Sequence, residues 1–460
     1  MMKLRIENEE GCKLTIDTSD LAKKDEKYVW HGVKPFNPEA TLIAEGAKGA
    51  WITDVDGNKY LDAMAGLWCV NAGYGRDELA EAAYEQLKQL AYFPMSQSHI
   101  PAIQLAEKLN EWLEDEYVIF FSNSGSEANE TAFKIARQYH YHNGDTGKYK
   151  FISRYRGYHG NSMGALAATG QALRKYMYEP LAGGFIHVTP PDIYRSPYKG
   201  TLEEQSLAAA DEIDRVMTYE LSDTIAGVIM EPFITGGGVL IPHESYLPRV
   251  REICDKHNAL LILDEVICGF GRTGKKFGFQ HAGIKPDIVT MAKGITSAYL
   301  PLAATAVRKD IYDAFKGTGE LDHFRHVSTF GGSPASCAVA LKNLEIFENE
   351  NLIERSFMMG EKLKDRLLDL ESHPNVGHVR GKGLLIGIEL VEDKKTKEPA
   401  AVEKVNKVIQ HCKEYGLIVG KNGDTVAGFT NIIELSTPLT ITNDDLDFIV
   451  TTLKKAFAKL

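Results

Sequence analysis

Ala259-Leu260-Leu261-Ile262-Leu263-Asp264-Glu265 and, a little further on, Asp287-Ile288-Val289-Thr290-Met291-Ala292-Lys293-Gly294 decide how this chain is read. Each contains a short apolar run, the pattern of a strand covered on both faces, and each stops on a group that chemistry can use. The first delivers a carboxylate at Asp264 and the second an ammonium at Lys293. Ligands of open α/β sheets bind outside the carboxyl ends of the strands, so these two groups are expected to face one crevice. Two further runs end in the same way. Residues 117–121 lead into Ser122-Asn123-Ser124-Gly125-Ser126-Glu127 and a helical pattern over 128–142, and residues 225–230 stop at Glu231-Pro232, ahead of three glycines at 236–238. A helical pattern over 245–257 links that strand to the one ending at Asp264, the alternation of βαβ units and a mostly parallel sheet.

The turn after residue 121 has two readings that coexist. Ser124-x-x-Glu127 fits a capping box, while Gly125 and Ser126 offer backbone N–H groups and a hydroxyl at the positive end of a helix dipole, which suits a phosphate. After a strand over 150–153, Tyr158 and His159 stand between Gly157 and Gly160, where an aromatic can cover a flat ligand and where turn chemistry alone also explains the glycines. Gly269-Phe270-Gly271-Arg272-Thr273-Gly274 matches the dinucleotide fingerprint in letters, but no periodic helix opens at Gly274, so it reads as a loop beside the site. Around these lie a hairpin with an Asp56-Gly57 turn, a stretch over 65–71 whose periodicity assigns no class and which contains Trp68, and a helix over 76–90. Residues 1–60 are expected to form an N-terminal segment joining a small domain, 61–334 a large domain, and 335–460 a smaller α+β domain, whose opening stretch to 370 reads as densely charged helix.

A hydrophobic share of 44% beside 25% charged residues is that of a chain able to bury a large core, and the net charge of -11 opposes a nucleic-acid footprint. Six scattered cysteines without a Cys-x-x-Cys pair read as reduced thiols rather than a zinc site. The charged N-terminus lacks the apolar run of a signal peptide and no stretch is long enough to cross a bilayer, so a cytoplasmic protein with small-molecule partners, no nucleic acid and no membrane is expected.

A phosphate cradle, an aromatic, a strand-end acid and a strand-end lysine together specify pyridoxal phosphate: the lysine forms the Schiff base, the acid holds the pyridine nitrogen, and the aromatic covers the ring. Ser124-Gly125-Ser126-Glu127-Ala128-Asn129, Tyr158-His159-Gly160, Glu231-Pro232, Leu263-Asp264-Glu265-Val266 with the glycine loop, Ala292-Lys293-Gly294 and Ser328-Thr329-Phe330-Gly331-Gly332 resemble the motifs of the class III pyridoxal-phosphate aminotransferases of fold type I. That resemblance spans most of the chain. It implies a mostly parallel seven-stranded sheet, Lys293 as the catalytic residue, Asp264 on the pyridine nitrogen, Val266 and Tyr158 on opposite ring faces with His159 and Glu231 nearby, and phosphate contacts from Gly125 and Ser126. It also implies a homodimer, or a tetramer built from it, in which Thr329, beside Phe330, reaches the partner's cofactor.

Ala65-Gly66-Leu67-Trp68-Cys69-Val70 is similar to the pyruvate-dependent ω-aminotransferases, which makes Trp68 a pocket wall, with Tyr92 or Phe93 another. The resemblance implies an amine donor, a keto-acid acceptor and a ping-pong scheme. Two arginine positions of relatives are altered: Glu434 stands in one and Gly420 in the other, with Lys421 beside it. A lysine offers a point charge rather than a fork, so the donor stays open between amines, β-alanine-like ω-amino acids and taurine, whose aminotransferases the 421–428 segment resembles. Adenosylmethionine-8-amino-7-oxononanoate aminotransferase and fold type I enzymes such as an aminomutase are the alternatives.

Overall fold

The computed structural model describes residues 3–7, 13–32, 41–423 and 425–460. Strands β1 (Lys3–Glu7) and β2 (Lys13–Asp17) pair antiparallel, and β3 (Ala44–Lys48), β4 (Trp51–Asp54) and β5 (Lys59–Asp62) form an antiparallel meander. The expected hairpin is β4–β5, its turn held by Asp54, whose Oδ1 accepts from the backbone N–H groups of Asp56 and Asn58.

Seven strands follow: β6 (Tyr117–Ser122), β7 (Lys150–Arg154), β8 (Phe185–Val188), β9 (Ile225–Met230), β10 (Leu260–Asp264), β11 (Ile288–Met291) and β12 (Ala303–Arg308). They make one sheet in the order β6-β12-β11-β10-β9-β7-β8, parallel from β11 to β8 and antiparallel where β12 joins β11 and β6. This is the expected mostly parallel seven-stranded sheet. Its centre is dry on both faces because alternate residues of β10 enter different cores. Leu261 and Leu263 pack in the cluster that holds Ile213 and Val250, whereas Leu260 and Ile262 join Phe133 and Ile135 of the helix Gly125–His142. Each such side chain contributes about 1.5–3 kcal/mol by leaving water, which explains why these strands lack the polar alternation of a half-exposed sheet.

Beyond residue 334 the helical stretch is two helices, Pro334–Asn349 and Leu352–Leu367, because Asn351 takes a left-handed φ of 51° and breaks the ladder. A second sheet runs β13 (Val376–Lys382), β14 (Leu385–Asp393), β18 (Ile432–Leu435) and β17 (Gly420–Lys421), with β15 (Glu398–Pro399) beside β14. Strand β16 (Leu417–Ile418) pairs in parallel with β5, tying this end of the chain to residues 59–62. No helix among the described residues is long and apolar enough to cross a membrane.

Candidate active site

The parity of β10 and β11 decides where the site's acid points. Asp264 shares a strand face with Leu260 and Ile262, and Thr290 lies beside it in register on β11, so both turn toward the helix Gly125–His142. Asn129 of that helix answers them. Its Nδ2 donates to Asp264 Oδ2 at 2.9 Å and to the His159 carbonyl at 2.7 Å, while its Oδ1 accepts from Thr290 Oγ1 at 2.7 Å. His159 Nδ1 lies 2.9 Å from the same Asp264 oxygen, and the Val266 N–H donates to Oδ1 at 3.1 Å. Three donors thus fix a carboxylate that is 3% exposed.

Lys293 follows β11 with φ at 49°, a left-handed conformation that turns the chain sharply after an extended Ala292. Burial lowers its ammonium from the ordinary lysine range, against the pull of Cys69, Asp264 and Glu231. Its Nζ lies 5.4 Å from the centroid of the Trp68 ring. Trp68 reaches that place on a left-handed turn: Ala65, Gly66, Leu67 and Trp68 all have φ between 44° and 68°. Such a backbone costs roughly 1–2 kcal/mol for each non-glycine residue and persists only where surroundings enforce it. Asp62 does so, accepting from the N–H of Met64 at 2.9 Å and of Gly66 at 2.7 Å, and from Tyr74 OH at 2.7 Å. No periodicity signals this turn, which is why the stretch resists classification from its letters.

At the other end of the crevice the capping box forms: Ser124 Oγ accepts from the Glu127 N–H at 3.3 Å, and Glu127 returns to the Ser124 N–H at 3.2 Å. The first intrahelical bond runs from Ala128 to Ser124, so the amides of Gly125 and Ser126 precede the ladder. A Cβ at Gly125 would meet both Val266 methyl groups at 3.0 Å, and one at Gly160 would collide with the Ser126 hydroxyl. Glu231 is buried, which pushes its carboxyl up; it accepts from the N–H groups of Tyr158 at 3.1 Å and Thr235 at 2.9 Å.

A cavity of about 410 Å³ brings Ser124, Gly125, Ser126, Tyr158, His159, Glu231, Asp264, Val266 and Lys293 together. Trp68 adjoins it through Lys293. Its wall does not include Tyr92, Phe93, Thr329, Phe330 or Lys421. Tyr92 OH donates to the Thr329 carbonyl at 2.9 Å and its ring meets Phe330 at 5.9 Å, on a surface where Tyr92 and Phe93 are each 42% and Phe330 66% exposed. Lys421 Nζ donates to Asn406 Oδ1 at 2.7 Å; Asp424, in the segment that follows, lies outside the described residues. Arg272 of the glycine loop is buried, bonding the Thr437 carbonyl and, at 2.6 Å, Asn71 Oδ1, so that loop is a structural clasp rather than a phosphate cradle. Among the wall and support residues, Asn129, Thr290 and Cys69 carry no role in the sequence reading. Asn129 had a signal, a polar residue among the buried Ala128, Ala132 and Ala136 of its helix.

The class-III aminotransferase profile matches residues 34–457. The aminotransferase YhxA of Bacillus subtilis is 67% identical over 437 residues, 95% of this chain and 96% of its own. The taurine–pyruvate aminotransferase of Bilophila wadsworthia is 42% identical over 451 residues, 96% and 98% of the two chains. The crystal structure of a Bacillus anthracis aminotransferase, 62% identical, superposes with a TM-score of 0.94 over 96% of this chain and 99% of its own. Pyridoxal phosphate, on which these enzymes depend, suits the crevice: a buried acid for a protonated pyridine, an amine of lowered basicity, and a helix start whose glycine leaves no room for a side chain and whose amide precedes the intrahelical ladder. Strand-end chemistry, sheet order and relatedness over nearly the whole length agree, and the chain belongs to the class-III aminotransferases, the pyridoxal-phosphate-dependent transaminases.

Proposed function

We propose that this enzyme moves an amino group from a donor without an α-carboxylate, such as an amine, a β-alanine-like ω-amino acid or taurine, to pyruvate in two half-reactions at one site. The observation that carries the reading is the Trp68 ring against Lys293 Nζ, together with Gly420 and Glu434 in place of arginines. An aromatic wall beside the reacting amine, with no clamp at either position, suits donors whose acidic group is remote or missing. The taurine–pyruvate relative supports the same choice.

In this reading Asp264, Val266, Tyr158 and the Gly125 and Ser126 amides hold pyridoxal phosphate, with His159 and Asn129 keeping Asp264 in place. When bound, the cofactor supplies the electron sink that makes the donor's reacting carbon acidic. Lys293 Nζ takes the proton from that carbon in the first half-reaction and returns one to the acceptor's carbon in the second. Burial, by disfavouring its ammonium, leaves more of it as free base near neutral pH. Trp68 and Tyr158 bound the reacting volume and limit water. The exposed Thr329–Phe330 loop belongs, in this reading, to the site of a second subunit of a homodimer.

Titrating the holoenzyme with taurine, β-alanine, γ-aminobutyrate and an arylalkylamine in turn tests it. One donor is expected to abolish the cofactor's visible band and pyruvate to restore it. Turnover of a single substrate without pyruvate, or amino transfer from S-adenosylmethionine alone, would overturn it.

A further inference from the structure

We propose that Arg174 is the specificity residue that takes the acidic end of the substrate, the pyruvate carboxylate in one half-reaction and a donor's terminal sulfonate or carboxylate in the other; this rests on the transaminase function proposed above. An acidic group held in a partly desolvated crevice needs a cationic partner, and an arginine fork meets a carboxylate or sulfonate best. Three other arginines bond carboxylates. Arg156 pairs with Asp192 at 2.6 Å and with the Gly237 carbonyl, Arg380 with Glu389 at 2.7 Å and with the Gly238 and Val239 carbonyls, and Arg195 with Glu389. The Lys421 ammonium is bonded to Asn406.

Arg174 differs from all of these. Its guanidinium lies over the ring of Tyr158, 5.2 Å from the centroid, and Tyr158 is a wall of the cavity. Its one hydrogen bond among the described residues runs from Nε to the neutral Gln171 Oε1 at 2.7 Å. Gln171 is a fixed post: it is 1% exposed, and its Nε2 donates to the Arg156 carbonyl at 3.0 Å. The Nε side is therefore pinned and the two terminal nitrogens remain as a fork without a carboxylate. Arginine is thus supplied from the segment after Tyr158, not from β17 or β18.

The test compares Arg174→Gln and Arg174→Lys with wild-type holoenzyme, using an arylalkylamine donor and two acceptors, pyruvate and butanal. Arg174→Gln is expected to raise KM for pyruvate about 10- to 100-fold and to leave kcat with butanal within about threefold. Calorimetric titration of the holoenzyme with propionate is expected to show the dissociation constant rising by a similar factor, with Arg174→Lys recovering part of it. Unchanged pyruvate KM and propionate affinity in a wild type that uses pyruvate would overturn the assignment alone. So would equal losses with both acceptors, or a pyruvate-selective loss in Lys421→Ala instead. A wild type that aminates butanal but never pyruvate would overturn the proposed function itself.

Discussion

Glu389 and Glu434 sit on adjacent antiparallel strands of the smaller sheet, each 0% exposed, and end in opposite states. Glu389 opposes Ile432 and Glu434 opposes Gly387, so the two are diagonal neighbours on one face. Burial pushes Glu389 up, but Arg380 and Arg195 outweigh it and hold the carboxyl at about 2. Burial, helped by the charge of Glu231, pushes Glu434 up to about 8, because Arg380, Arg156 and Arg174 act on it only from a distance. Neither oxygen of Glu434 has a hydrogen-bond partner among the described residues. Residue type, burial and sheet face are shared; the arginines are not. A buried carboxylate's charge is set by what reaches it from other elements, here Arg195 from a loop and Arg380 from β13.

The comparison breaks most sharply at Arg380. Arg380→Met leaves Glu389 with one arginine and is expected to cost on the order of 3–5 kcal/mol, read as a lowered urea midpoint at neutral pH. The pH dependence carries a sign. The wild-type Glu389 carboxyl is depressed, so its contribution is complete above the unfolded value of about 4.5 and is lost as pH falls toward about 2. The gap between Arg380→Met and wild type should therefore narrow in acid; a gap independent of pH would mean that packing, not charge, is lost.

Glu434→Gln is the opposite case. Its folded carboxyl is raised, so the native state holds a proton that the unfolded chain gives up between about 4.5 and about 8, and wild-type stability falls as pH rises through that window. The variant is expected to gain on the order of 2 kcal/mol at about pH 9 and almost nothing below about pH 4.5, visible in melting temperatures of the two proteins across pH. Equal melting curves at every pH would show that Glu434 has a partner after all. The smallest effect is expected at Lys421, the nearest lysine along β17, whose ammonium serves Asn406 and not Glu434. Lys421→Ala should change stability by less than about 0.5 kcal/mol, and should leave the Glu434 pH dependence intact.

Local order made much of the fold legible. The apolar runs of β9 and β10 announced strands buried on both faces, and their terminal Glu231, Asp264 and, after β11, Lys293 announced a crevice. Strand β13 escaped notice because Val376–Lys382 alternates weakly and carries two glycines. The helix break at Asn351 also escaped, since an asparagine between Glu350 and Leu352 reads equally well inside a helix or at its end.

What the sequence by itself determined is what neighbours in the chain can enforce: strand periodicity, the Ser124–Glu127 cap, and strand-end residues whose spacing resembles one family. Tertiary structure alone decided that Asn129 joins Thr290 to Asp264, that the Trp68 ring meets Lys293, that Arg174 lies over Tyr158, and that the Glu389 carboxyl is held low where that of Glu434 is pushed up. Those outcomes depend on strand register and on side chains tens or hundreds of residues apart. Electrostatic interaction inside a protein depends on distance and burial, and neither is a property of any short stretch of sequence.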